Sequence, residues 1–140
     1  MKTYITLLAL FISTQSFAVD LCTTLADESA TTTLYSKTID AETKFTEWEK
    51  TQVMTYIEAM EFSYEDRPLE TFEDVVAWLV QDSWDELHLS VFRINESEEI
   101  ITYVWSYPGD NEYGLYLSDL HEVIGAIQDG DLVVGNDYCH

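Results

Sequence analysis

The 140-residue chain predicts an α+β fold in which N-terminal helices pack on an antiparallel β-meander, followed by a short C-terminal helix and strand, with the termini joined by a disulfide. Three observations lead there. Apolar residues recur at helical spacing in the first half; the second half switches to β-branched and aromatic runs separated by turn signals; and the two cysteines, Cys22 and Cys139, lie near the two ends. Helices followed by strands, rather than strict alternation of the two, favour α+β over a parallel α/β sheet.

The first eighteen residues are expected to be a cleaved secretory signal. Lys2 precedes the apolar run from Ile5 to Ile12, which is too short to span a bilayer, and Ser16-Phe17-Ala18 places small residues at the third and first positions before the cut. Residues 19–140 then form a single globular domain outside the cytoplasm. Val19 at the junction is not the cysteine of a lipoprotein, and no second apolar stretch has the length of a membrane helix, so no membrane anchor is expected. An oxidising compartment favours a Cys22–Cys139 bridge; an intermolecular disulfide and two free thiols are the alternatives.

From Glu42 to about Phe62, the residues Phe45, Trp48, Val53, Tyr56, Ile57 and Met60 fall along one face of an amphipathic helix. Upstream, Leu21, Leu25, Ala26 and Leu34 are compatible with another helix, against which the low helix propensity of Thr31-Thr32-Thr33 counts. A break is expected at Tyr64-Glu65-Asp66-Arg67-Pro68. Thr71-Phe72-Glu73-Asp74 has the form of a capping box, opening a short helix that ends near Asp82.

Leu87 to Ile94, Ile100 to Tyr107 and Tyr113 to Leu117 read as a three-stranded meander with turns at Asn95–Glu98 and Pro108–Asn111. In the middle strand Ile101, Tyr103, Trp105 and Tyr107 share the face expected to pack on the helices, leaving Thr102, Val104 and Ser106 on the other. Ser118 or Asp119 is expected to cap a helix running through Ile127, Asp129-Gly130 to turn, and Leu132-Val133-Val134 to form a last strand.

Charge is the other dominant signal. The chain carries 27 acidic against 6 basic residues, a formal charge of -21, and loss of Lys2 with the signal would make it one unit more negative. Such a field repels nucleic acid and anionic membranes and accelerates encounter with a cationic protein. With 46% hydrophobic and 14% aromatic residues, the acidity belongs to a cored domain rather than a disordered chain.

Catalytic patterns are weak. No G-x-S-x-G elbow accompanies His88, His121 or His140, and abundant acids make a glycosidase-like carboxylate pair uninformative. Asp110-Asn111-Glu112 and Asp129-Gly130-Asp131 could offer oxygen ligands to Ca²⁺, but neither follows the EF-hand spacing. The stronger candidates for contact with a partner are two loops that join carboxylates to a tyrosine, Tyr64-Glu65-Asp66 and Asp110-Asn111-Glu112-Tyr113, with the outward helix side at Met54, Glu58 and Glu61 as a further surface.

The signal at Met1–Ala18, the small acidic mature domain, Cys22 and Cys139 near its ends and the lack of a catalytic set together resemble the periplasmic immunity proteins that protect bacteria from type VI secretion effectors, particularly lysozyme-like peptidoglycan hydrolases. The resemblance is one of organisation along the whole chain and rests on no diagnostic motif, so no residue role is carried over. It implies a non-enzymatic periplasmic protein without a cofactor, often a homodimer, that occludes the active cleft of a cell-wall-degrading toxin. A secreted carboxylate-dependent glycosidase and a Ca²⁺-dependent adhesion or accessory module are the competing readings.

Overall fold

The computed structural model describes residues 21–61, 63–64, 67–81, 86–107, 111–135 and 137–139. The expected signal segment lies outside them. Residues 21–26 form helix α1 and a 3₁₀ turn spans Glu28–Ala30. Then come β1 (Thr31–Thr38), α2 (Glu47–Ala59), the small hairpin β2 (Ser63–Tyr64) and β3 (Arg67–Pro68), and α3 (Phe72–Gln81). The rest is all strand: β4 (Leu87–Ile94), β5 (Ile100–Ser106), β6 (Tyr113–Ser118), β7 (Val123–Gln128), β8 (Asp131–Val134) and β9 (Asp137–Tyr138).

The main sheet has seven antiparallel strands in the order β1-β4-β5-β6-β7-β8-β9. It is an unbroken meander from β4 onward, with β1 returning to the outer side of β4. The mixed α+β class therefore holds, while the expected three strands are part of a larger sheet. Leu34, read with a helix, lies instead in β1, where it is the extra residue of a bulge between Thr33 and Tyr35. Runs of threonine suit a pleated strand, where the branched side chain costs little rotamer freedom.

Both long helices begin as their sequences dictate. At α2, Thr46 Oγ1 accepts from Glu49 N–H at 3.1 Å while Glu49 Oε1 accepts from Thr46 N–H at 2.7 Å, a complete capping box. The helix therefore starts at Glu47 rather than Glu42, whose N–H is held in a turn by the Asp40 carboxylate. At α3 the same reciprocal pair joins Thr71 and Asp74.

Two regions correct the sequence reading. The helix expected from Ser118 or Asp119 through Ile127 is a turn followed by strand β7. Ser118 Oγ does accept from Leu120 and Glu122 N–H, but His121 takes a positive φ of 65° and Ser118 N–H bonds Glu122 C=O at 2.8 Å, closing a hairpin. Val123 pairs with Leu117 of β6, and Ile127 with Gly114 of β6 and Leu132 of β8, so strand pairing wins over the cap signal.

The second correction concerns β5. The face that meets the helices is Thr102, Val104 and Ser106, at most 6% exposed, and not that of Tyr103 and Trp105. Small hydroxyls are buried here because α2 supplies partners for them. Gln52 Nε2 donates to Thr102 Oγ1 at 2.9 Å and to the Ser118 carbonyl at 3.1 Å, and the Tyr56 hydroxyl bonds Ser106 Oγ at 2.8 Å and the Tyr113 carbonyl at 3.2 Å. A polar seam satisfied in this way escapes the penalty of burying unpaired groups.

Apolar residues pack on both sides of the sheet. Val53 and Ile57 of α2 and Val75 of α3 pack with Leu87, Leu89, Val104 and Leu117 of the sheet. On the opposite face Leu21 of α1 packs with Phe92, Ile94, Ile101 and Val134, beside the Cys22–Cys139 disulfide. That bridge joins residues 117 apart in sequence with Cα atoms 5.4 Å apart. It fastens α1, which has little core of its own, over one end of this face.

Candidate functional site

Hydrogen bonds along α2 fix its direction relative to the sheet. Trp48 Nε1 donates to the Asp119 carbonyl, Gln52 reaches Thr102 and Ser118, and Tyr56 reaches Ser106 and Tyr113. The C-terminal end of α2 thus lies at the end of the sheet where β5 passes into β6. At that same end β4 begins, since Leu87 pairs with Ser106, and β7 turns into β8, since Gly130 N–H donates to the Glu112 carbonyl at 3.1 Å. Chain topology gathers exposed Glu58, Glu61, Glu86, Asp129 and Asp131 there, together with Tyr107 at 52% exposure.

The candidate contact residues divide accordingly. Glu65, Asp66 and Asp110 lie outside the described residues; Tyr64 is in β2, which leaves the same end of the domain after Glu61. Asn111, Glu58 and Glu61 are exposed, whereas Met54 is half-buried against the helix-side core. Tyr113 donates its hydroxyl to Asp129, and Glu112 accepts from the Tyr103 hydroxyl. The first bond ties the start of β6 to the β7–β8 turn and the second ties Glu112 back to β5, giving a braced acidic end. Tyr107, which the strand pattern places on the helix-facing side of β5, is instead an exposed aromatic at this end.

The opposite sheet face carries a row of four stacked rings. Tyr116 and Tyr103 lie 4.3 Å apart, Tyr103 and Trp105 5.0 Å, and Trp105 and His88 5.1 Å between ring centroids, with interplanar angles of 12°, 8° and 26°. Gly114 makes room for the row. Because the inner rings spend their faces on one another, the row presents edges to solvent rather than a flat platform for a sugar ring. Burial and the Glu112 hydrogen bond push the Tyr103 hydroxyl far above its ordinary pKa, and burial pushes Tyr116 up to about 12. These hydroxyls are neutral donors across the physiological range and suit structural bonds rather than proton transfer.

Both described histidines, His88 and His121, are held by neighbours. His88 Nδ1 is 3.3 Å from Thr38 Oγ1 and its Nε2 3.3 Å from Glu86 Oε2. His121 Nδ1 lies 2.5 Å from the Oε1 atom of buried Gln52, and its ring sits 6.2 Å from that of Trp48. Among the described residues no three His, Cys, Asp or Glu side chains gather closely enough to hold a metal ion.

Lys37 and Lys50 are engaged by neighbouring acids. Lys37 Nζ bonds Glu49 Oε1 at 2.8 Å and the Lys44 carbonyl at 2.9 Å, while Lys50 lies 3.4 Å from Glu47 and 4.0 Å from Glu73. Glu49 is 1% exposed. Burial alone would raise its pKa, but hydrogen bonds from the Lys37 ammonium, Thr46 N–H and the Tyr35 hydroxyl outweigh burial and hold it below the usual carboxylate range. Lys37 and Lys50 are thus engaged by Glu49, Glu47 and Glu73 rather than by the acids at the β5–β6 end.

No family model, curated protein or solved structure matches the chain.

Proposed function

We propose that this is an exported acidic binding protein that inhibits a cationic cell-wall-degrading enzyme by docking over its active cleft, in the manner of a periplasmic immunity protein. The observation that carries the reading is the braced acidic end, where exposed Glu58, Glu61, Glu86, Asp129 and Asp131 share one end of the sheet with exposed Tyr107. Such an end steers a basic surface into encounter, and an amphipathic ring among carboxylates provides a local anchor. The ties from Tyr103 to Glu112 and from Tyr113 to Asp129 support docking without reordering, which lowers the entropic cost of association. The cleaved signal and periplasmic location belong to the same proposal.

The test is an inhibition assay. Disulfide-bonded protein spanning residues 19–140 is mixed with a panel of basic peptidoglycan hydrolases, and clearing of purified cell walls is followed. Stoichiometric loss of lysis for at least one enzyme is expected; full lysis across the panel at low salt would reject the reading. Wall cleavage by the protein alone, removed by replacing a single carboxylate, would promote the glycosidase reading instead.

A further inference from the structure

We propose that the outer edge of β1 is a docking strand that receives an extended segment of the cationic partner by β-addition; this rests on the proposed function in taking the partner to be basic. The two edges of the sheet differ sharply: β9 has two residues, whereas β1 has eight, and among the described residues no strand pairs with its outer side. Hydrogen bonds at both ends set the alternation along it. Ile39 N–H donates to the Leu87 carbonyl and Asn95 N–H to the Ala30 carbonyl, each at 2.9 Å. With the register Lys37 to Leu89, Tyr35 to Val91 and Thr32 to Arg93, those three residues turn their backbone groups toward β4, and Thr33, Ser36 and Thr38 turn theirs outward, while the Thr31 N–H is taken by the Glu28 carbonyl.

Edges of this length are commonly blunted by lysine, proline or a bulge. Here Lys37 is diverted to Glu49 and Lys44, no proline is present, and the single bulge at Leu34 leaves Tyr35–Thr38 in regular register. Charge then selects the occupant. The stretch Ser29–Ile39 contains no acid, yet exposed Asp27 and Glu28 precede it and exposed Asp40 and Glu42 follow it. A second copy paired along β1, in either direction, would set one acidic flank against another. A segment with β-branched residues in its middle and Lys or Arg at its ends meets neutral edge and acidic flanks in the right order. Thr38 lies opposite His88 at the acidic end of the domain, so a partner seated on that end can lay such a segment along β1 without leaving it.

The test uses ¹⁵N-labelled, disulfide-bonded protein and a synthetic peptide of alternating valine and threonine with lysines at both ends. Addition of the peptide should shift the amide signals of Thr33, Ser36 and Thr38 and slow their exchange with solvent, leaving Tyr35 and Lys37 little changed. The same peptide N-methylated along its bonding edge should bind at least about tenfold more weakly, the loss of about 1.4 kcal/mol of backbone hydrogen bonding, and this control leaves the protein unaltered. Ser36→Pro removes an outward N–H and should weaken the unmodified peptide equally. Shifts confined to the acidic end, equal binding of the methylated peptide, or no shift at millimolar peptide would overturn the proposal. The same shifts appearing with protein concentration alone would make a second copy the occupant and overturn it too. Full hydrolase inhibition by Ser36→Pro would remove the docking strand and leave the proposed function standing; peptide seated on β1 with no hydrolase inhibited would do the reverse.

Discussion

Gly114 of β6 lies directly opposite Trp105 of β5, and a Cβ at Gly114 would stand 2.8 Å from the Trp105 Cβ and closer still to the Tyr103 ring. The stacked row from Tyr116 to His88 therefore depends on a missing methyl group. Gly114→Ala should force the rings apart and cost about 1 to 3 kcal/mol, the usual penalty for overpacking. Thermal unfolding measures the loss, and near-UV circular dichroism should lose its aromatic signal in the same variant. Unchanged stability would mean that the row adjusts freely.

Gln52 holds three partners at once: Thr102, the Ser118 carbonyl and His121. Gln52→Leu keeps the volume but strands those groups inside the protein, so a loss of about 2 to 3 kcal/mol is expected. Denaturant unfolding checks the magnitude. Gln52→Leu combined with Thr102→Val should recover part of it, since the second change removes one of the stranded groups.

Glu49 gives stability an acid-side dependence. Its folded pKa is depressed, so its contribution is complete above the unfolded value of about 4.3 and is lost as pH falls through the folded pKa. Many acids titrate in that range, and relief of their repulsion acts in the opposite direction. The difference between the wild type and Glu49→Gln isolates the one group. That difference should be largest near neutrality and shrink below about pH 4; a gap independent of pH would remove the charge from the account.

Reduction of the Cys22–Cys139 bridge should loosen α1 first, because Leu21 and Leu25 pack on the second face at that point. The chain-entropy model assigns a loop of this length roughly 4 to 5 kcal/mol. Hydrogen exchange in Cys22→Ser/Cys139→Ser should rise most around Leu21, Phe92 and Val134, with α2 less affected. Uniform loss of protection would show that the bridge supports the whole fold equally.

What the sequence made legible follows from which signals are local. Thr71 with Asp74 acts within a few residues, and the start of α3 is legible from it, whereas the equally local box of Thr46 and Glu49 falls inside the helix expected from Glu42; Cys22 and Cys139 need only proximity of the ends. The facing of β5 was not local. Tyr103 and Trp105 are larger and more apolar than Thr102 and Ser106, and only the arrival of Gln52 and Tyr56 from α2 reverses the choice. Ser118 likewise carries a real cap signal, overridden by strand pairing on both sides of β7. Of the partner-contact residues, the acids were visible in composition alone, whereas the exposure of Tyr107 and the ties of Glu112 and Tyr113 depend on where the β7–β8 turn lands.

The central claim is that the acidic end captures a basic wall hydrolase, and stopped-flow association at increasing salt tests it most directly. For a hydrolase whose lysis is blocked, the association rate should fall steeply as salt shortens the Debye length from about 30 Å at 0.01 M to about 8 Å at 0.15 M. The dissociation rate should hardly move, and Tyr107→Ala should speed dissociation by tenfold or more, about 1.4 kcal/mol. An association rate indifferent to salt, or one unaltered by replacing Glu58, Glu61, Asp129 and Asp131 together, would contradict the account.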